Sequence, residues 1–172
     1  MKQVPISEAL KLKYPEWVMF VISRDGEGAP DVMPAGWCMI CNSNPMMMAV
    51  AVGFGRYTHR CIEETGEFVL AWPGVGQERL IEQTGTTSGR DLNKYEANGL
   101  EEIDAAVVGA PLIEGCVAAL ECAVVSQLEL EDHSIFVGEV VAAHVADPPV
   151  AKLENFDGTY AVAKPAVTPT CL

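Results

Sequence analysis

At 172 residues, 49% hydrophobic and 20% charged, the chain has the length of one domain and enough apolar content to bury a core without a disulfide or metal staple, which excludes a disordered protein. Eleven basic against 24 acidic side chains give a formal net charge of −13. That balance argues against non-specific nucleic-acid binding and against an anionic membrane surface, so any anionic ligand must be held by a local arrangement of donors.

The first 20 residues mix Lys, Glu, Ser and Pro without the apolar core of a signal peptide, and a cytoplasmic protein is expected. Trp17 to Ser23 is rich in β-formers, and Arg24 to Gly28 supplies a turn. A second strand-like run covers Asp31 to Cys41. Asn42-Ser43-Asn44-Pro45 then reads as a loop and Met46 to Val52 as a strand. That last run is the longest apolar stretch, far short of the roughly 20 residues of a membrane span. Short runs separated by turns of this composition read as antiparallel hairpins.

The character changes at Gly53-Phe54-Gly55. Thr58, Cys61, Ile62 and Thr65 recur at i, i+3, i+4 and i+7, one face of a short helix closed by Gly66. Glu67 to Trp72 is strand-like. Gln77 to Thr84 reads as a second short helix, with Leu80, Ile81 and Thr84 on one face and Gly85 as its stop. Thr86 to Leu100 is polar and aperiodic, and such a segment in a compact domain is more often functional than idle. Gly115 to Leu130 and Ser134 to His144 are long β-rich runs joined at Glu131-Asp132-His133. From Ala146 onward, Pro148, Pro149, Pro165 and Pro169 mark loop or edge structure. Six or so strands without βαβ alternation predict a mainly β fold, a barrel or a sandwich.

Cys38, Cys41, Cys61, Cys116, Cys122 and Cys171 read as reduced thiols that pack as small apolar groups. Cys38 and Cys41 have the spacing of a redox pair or half a zinc site. They lie in a strand-like run, however, where residues three apart face opposite sides, and no second pair completes a tetrahedral site. A thiol or metal module is therefore the remote alternative.

The junction Gly53-Phe54-Gly55-Arg56-Tyr57-Thr58-His59 joins a strand to a helix start, where free N–H groups and the helix dipole favour phosphate. Arg56 adds a charged donor and Thr58 a hydroxyl. The alternative is a Thr N-cap beside a solvated arginine, and the junction alone does not choose. Ser88-Gly89-Arg90-Asp91-Leu92-Asn93-Lys94-Tyr95 offers a second set of anion donors, although by composition a mobile, charge-balanced loop is the simpler reading. Gly36 in mid-strand beside Trp37 could bed a flat ring, while a core tryptophan is the default. His133 sits at a hairpin tip, where an exposed histidine is usually only that.

Taken in order, Asp31-Val32-Met33-Pro34-Ala35-Gly36-Trp37, Asn44-Pro45, Arg56-Tyr57-Thr58-His59, Gly66-Glu67-Phe68-Val69, Ser88-Gly89-Arg90-Asp91, Lys94-Tyr95, Ala110-Pro111-Leu112, Leu120-Glu121-Cys122 and Asp132 to Val140 resemble the flavin reductase-like family, and most of all its flavoredoxin branch. The resemblance runs from about Pro15 to about Asp147. It implies an FMN-binding split β-barrel of Greek-key type with a few short helices. It also implies a single domain over the whole chain, with a core over about 15–147 and a tail over 148–172.

The resemblance further implies non-covalent FMN near the interface of a homodimer. Ala35, Gly36, Trp37, Cys38, Met39 and Asn42 would lie along the isoalloxazine and ribityl chain, Arg56, Thr58, Ser88, Gly89 and Lys94 near the phosphate, and Pro34 and Tyr95 would also bind the cofactor. His133, in a hairpin that resembles the family's Gly-Asp-His signature, would lie by the nicotinamide as the catalytic candidate. Two departures stand out. Met39-Ile40-Cys41-Asn42 replaces the family's frequent Thr-Pro-Val-Ser, and Glu131 replaces the signature glycine, adding negative charge where an anionic dinucleotide approaches. No glycine-rich Rossmann fingerprint is present. The expected function is an FMN-dependent oxidoreductase taking hydride from NAD(P)H. The alternative is an electron-transfer flavoprotein that serves a redox protein without NAD(P)H, favoured by Glu131 and the acidic balance.

Overall fold

A computed structural model describes residues 1–163, so Pro165, Pro169 and Cys171 lie outside the described residues. The elements are α1 (Ile6–Leu10), a 3-10 turn (Lys11–Lys13), β1 (Glu16–Trp17), β2 (Met19–Arg24), β3 (Pro30–Ala35), β4 (Cys38–Ser43), β5 (Met46–Gly53), α2 (Tyr57–Thr65), β6 (Glu67–Trp72), α3 (Glu78–Thr86), α4 (Lys94–Asn98), β7 (Ala118–Glu129), β8 (His133–Val145), β9 (Glu154–Asn155) and β10 (Tyr160–Ala161). The fold is mainly β. Strands β1, β9 and β10 make a small sheet, and the other seven form one antiparallel sheet in the order β3-β2-β6-β7-β8-β5-β4. Among the described residues no helix is long and apolar enough to cross a membrane.

The two edges of the large sheet, β3 and β4, are consecutive in the chain and separated only by Gly36 and Trp37. A flat seven-stranded sheet would hold its edges about 29 Å apart at roughly 4.8 Å per strand. Ala35 and Cys38, three residues apart, can be separated by at most about 11 Å. The sheet must therefore curl until its edges approach.

Curling gives much of the sheet two buried faces. In β2, Met19 and Val21 join Val50, Val52, Phe68, Leu70 and Phe136 in one core cluster. Phe20 and Ile22 point the other way, into a second cluster with Val69, Ile81 of α3 and Tyr95 of α4. Burial on both sides is why the segment reads as a continuous apolar run and not as an alternation. On β4, β5 and β8 many outward positions are apolar as well, including Met39, Ala51, Ile135, Val137 and Val141, with Glu139 among them on β8. Of these, Met39 and Val141 stand exposed, as does Val145 at the end of β8.

Several local expectations change. The run from Asp31 to Cys41 is broken by the Gly36–Trp37 corner, which leaves Trp37 61% exposed and not in the core. Gly85 does not stop α3, which continues to Thr86. A Cβ at Gly85 would stand 2.9 Å from Pro34 Cγ, so this glycine serves the close packing of helix on strand. The aperiodic stretch holds α4, capped by Asn93, whose side chain accepts the N–H groups of Tyr95 and Glu96, and ended by Gly99 at φ 62°. One and a half turns are too few to print a helical period on a sequence.

Glu121 on β7 is fully buried and accepts the N–H groups of Ala106, Val107 and Val108 at 2.7, 2.7 and 2.9 Å, with His144 Nε2 on the same carboxylate. It thereby fastens the long connection before β7 to the sheet. Burial alone would raise this carboxyl, but His144 and the three amides outweigh it and hold it down to about 2. A carboxyl held below its unfolded value stabilises above that value, and the contribution disappears as pH falls from about 4.5 toward 2. Glu121→Gln should cost roughly 2–4 kcal/mol at pH 7 and flatten this acid limb, as read by urea unfolding across the pH range. An unchanged limb would assign the acid sensitivity to other groups.

Candidate functional site

Strand β5 leaves the sheet at Gly53 and turns through Phe54 and Gly55 into α2. Arg56 N–H closes the turn on Gly53 O at 2.9 Å, and Phe54 N–H ties it to Asp132 O of the β7–β8 hairpin at 3.1 Å. Arg56 occupies the N-cap position with extended backbone, and no side chain caps the helix. The first turn of α2 thus keeps amide N–H groups without side-chain acceptors at the positive end of the helix. Among the described residues the Arg56 guanidinium has no hydrogen bond or ion pair within the chain. This turn, with Arg56, Tyr57 and Thr58, lines a small cavity whose other walls are Met33, Thr84, Thr87, Ser88 and Lys94.

The Ser88–Gly89 loop is pressed onto that cavity. The Arg90 guanidinium donates to Gly55 O at 2.6 Å, and Arg90 N–H to Ser88 Oγ at 3.2 Å, which leaves the Ser88 hydroxyl proton free to donate. A Cβ at Gly89 would fall 2.4 Å from Tyr57 Cδ1 and 2.5 Å from Asp31 Oδ1, so only glycine lets the loop approach. Tyr57 is itself fixed, its hydroxyl donating to Asp25 at 2.6 Å. That bond to a carboxylate pushes the phenol up to about 12.

Met33 and Arg56 also line a second hollow, with Pro34, Ala35, Gly36, Trp37, Ala51, Gly53 and His133. Trp37 and Ala51 then lead into a third, apolar one with Cys38, Met39, Ala49, Val50 and Ile135. Shared walls make the three hollows one groove, donor-rich at the α2 end and apolar at the β4 end. The corner that forms its middle is pinned by Ala51 N–H to Trp37 O at 2.9 Å and by Trp17 Nε1–H to Cys38 O at 3.1 Å.

His133 is not a free hairpin-tip side chain. It pairs across the sheet with Gly53, its ring lies 5.0 Å from that of Trp37 at 33°, and its Nδ1 meets Asp132 at 2.8 Å. Gly53 makes room for it, since a Cβ there would be 3.3 Å from Nε2.

The groove brings together Pro34, Ala35, Gly36, Trp37, Cys38, Met39, Arg56, Thr58, Ser88 and His133, with Gly89 packed behind. Three expected binders are placed otherwise. Tyr95 is a core residue at 2% exposure, because α4 turns its ring into the sheet. Asn42 lies at the far end of β4 and donates to Pro45 O at 2.7 Å, closing its own hairpin. Lys94 lines the donor-rich cavity but is buried, its Nζ directed to Val32 O, Thr84 O and Asp31. Thr58 likewise gives its hydroxyl proton to Asp31. Cys38 is buried and Cys41 exposed, and burial, with Glu16 nearby, pushes the Cys38 thiol up to about 12, so it stays protonated at neutral pH.

Some groove residues were not singled out from the sequence. Ala51 read only as a strand residue, and Met33 and Ile135 entered only as members of the motifs that carry the resemblance. His59 lies buried under the turn, between Phe54 and Phe136 and bonded to Ser134 Oγ at 2.9 Å.

Known proteins share this fold. The flavoredoxin of Methanosarcina acetivorans superposes with a TM-score of 0.85 at 26% identity, covering 98% of this chain and 95% of that one. An FMN-binding protein from Thermus thermophilus gives 0.82 at 25% identity, covering 98% of each. An NADH-dependent FAD reductase of Streptomyces globisporus is 30% identical over 118 residues, 69% of this chain and 64% of the relative. The model of the flavin reductase-like domain matches residues 12–164. The chain belongs to the flavin reductase-like family.

Proposed function

We propose that the groove holds FMN and that the protein is an FMN-dependent oxidoreductase on a Greek-key split barrel, taking hydride from NAD(P)H and passing electrons to an acceptor. The observation that carries this reading is the gradient along a single groove. Arg56, Ser88 and the uncapped α2 amides suit a phosphate at one end. The small residues Pro34, Ala35, Gly36 and Gly53 leave space for a chain in the middle. The wall from Trp37 to Ile135 suits a flat apolar ring at the other end. An FMN-binding protein and a flavin reductase among the relatives support the same ligand class.

When bound, flavin supplies the hydride acceptor, and the chain supplies binding, orientation and shielding. Arg56 and the α2 amides hold the anionic end by charge-assisted hydrogen bonds. Asp132 accepts Nδ1–H of His133, which leaves Nε2 toward Gly53 and the groove. From there His133 steadies the carboxamide of an incoming nicotinamide. The second reading, an electron-transfer flavoprotein serving a basic redox partner, rests on Glu131 and Asp132 flanking that place with like charge against a dinucleotide. The purified protein should show a flavin spectrum that bleaches on anaerobic mixing with NADH or NADPH, and His133→Ala should raise the KM for the nicotinamide while FMN affinity holds. A spectrum that persists with both nucleotides would transfer the assignment to the second reading.

Among the described residues Arg56 is a cation of the groove whose guanidinium has no hydrogen bond or ion pair. Hydrogen bonds to charged groups are worth about 1.5–3 kcal/mol. Arg56→Ala should therefore weaken FMN by roughly tenfold to a hundredfold in a flavin-fluorescence titration and leave riboflavin nearly unchanged. Equal losses for both ligands would make Arg56 a folding residue.

The apolar outward positions of β4, β5 and β8 continue the ring end of the groove. A second copy placed there by a two-fold axis would cover Met39, Ile135 and Val141 and shield the ring from water. Light scattering should accordingly give twice the 18.5 kDa chain mass. A monomer that retains FMN would remove the partner from the site.

A further inference from the structure

We infer that Asp31 and Lys94 form a buried, mutually neutralising pair that sets the charge of the anion pocket, so that Lys94 stands behind the phosphate site as a cancelled charge and Asp31 is its positioning residue. This rests on the reading of the groove as the site of a phosphate-bearing flavin.

The Lys94 side chain is 3% exposed and that of Asp31 0%. Nζ donates to Val32 O at 2.7 Å and to Thr84 O at 3.2 Å, and it stands 3.3 Å from Asp31 Oδ1 as an ion pair. The ammonium is thus held by groups of the chain itself and is buried away from the pocket opening. On Asp31, Oδ2 accepts the Thr58 hydroxyl, while Oδ1 has no hydrogen bond and rests on the charge of Lys94 alone. Its other neighbour is the bare Cα face of Gly89. A carboxylate buried in this way requires its partner, since neither charge is sustained alone away from water.

The pair also joins the pieces of the pocket. Asp31 comes from β3, Thr58 from α2, the Thr84 carbonyl from α3, Gly89 from the loop and Lys94 from α4. Each piece carrying a phosphate donor leans on one carboxylate. What remains directed outward is Arg56, the Ser88 hydroxyl and the amides of α2. Two of the basic and hydroxyl groups that the sequence offers to an anion are thus turned inward.

The test compares FMN and riboflavin binding to the apoproteins of the parent, Asp31→Asn, Lys94→Met and the double variant, with thermal unfolding of each. A unit charge uncovered a few ångströms behind a phosphate changes affinity by about tenfold. Asp31→Asn should tighten FMN by about that factor, Lys94→Met should weaken it, and riboflavin should move little. The double variant, neutral and of similar shape, should return to within about twofold of the parent. A double variant that loses FMN as Lys94→Met does would show that Lys94 donates directly and would overturn the inference.

Labelling of the parent with an amine-reactive reagent, read by mass spectrometry, needs no variant to fold. Lys94 should be unreactive with and without FMN, and labelling in the apoprotein that FMN suppresses would overturn the inference as well. A parent that binds neither flavin sinks the proposed function, whereas a parent that binds FMN while the double variant does not sinks only the pair.

Discussion

Everything in this molecule depends on the shortness of one connection. Gly36 and Trp37 are all that separates the two edge strands of a seven-stranded sheet. Because covalent geometry holds those edges together, the sheet curls, an interior appears, and residues of β2 that could not all be buried in an open sheet become so. The same corner cannot lie flat within either strand. Trp37 is therefore thrown outward, and it meets His133 arriving on β8. The constraint that makes the core also makes the middle of the groove.

The charge of the chain gives the groove its direction. Among the described residues the Arg56 guanidinium has no hydrogen bond or ion pair, and it is placed where a helix presents its positive end. Arg24, Arg60 and Lys152, by contrast, are tied to Glu102, Glu64 and Glu154. For the anionic flavin proposed above, Arg56 would be a point of attraction in the groove, and the apolar wall beyond would set how the rest of the ligand lies.

How much of this was legible follows from range. Local signals carried well: the glycines before α2, Gly66 after it and the apolar runs of β2, β5 and β6 depend on neighbours in sequence. The junction at Arg56 could be read because a helix start is a local object. Lys94 could not, since its burial depends on carbonyls of Val32 and Thr84 from distant segments, and in sequence it is a lysine in a polar loop. The burial of Tyr95 was hidden for a related reason, as α4 is too short to show which face is inward. The pairing of His133 with Trp37 arises only when the sheet closes. The family resemblance bridged part of this gap, placing His133 and Trp37 in one site without saying how they meet.

The middle of the groove is built from what is missing. At Gly53 an added methyl would crowd His133, at Gly36 it would strike Glu16, and behind the pocket at Gly89 it would strike Tyr57 and Asp31. Much of the wall is main chain, which every residue possesses in the same form. A surface so built forbids bulk and asks little of most side chains beside it. The chain keeps a TM-score of 0.85 with a relative while sharing 26% of its residues. The fold that carries the groove is shared more closely than its spelling.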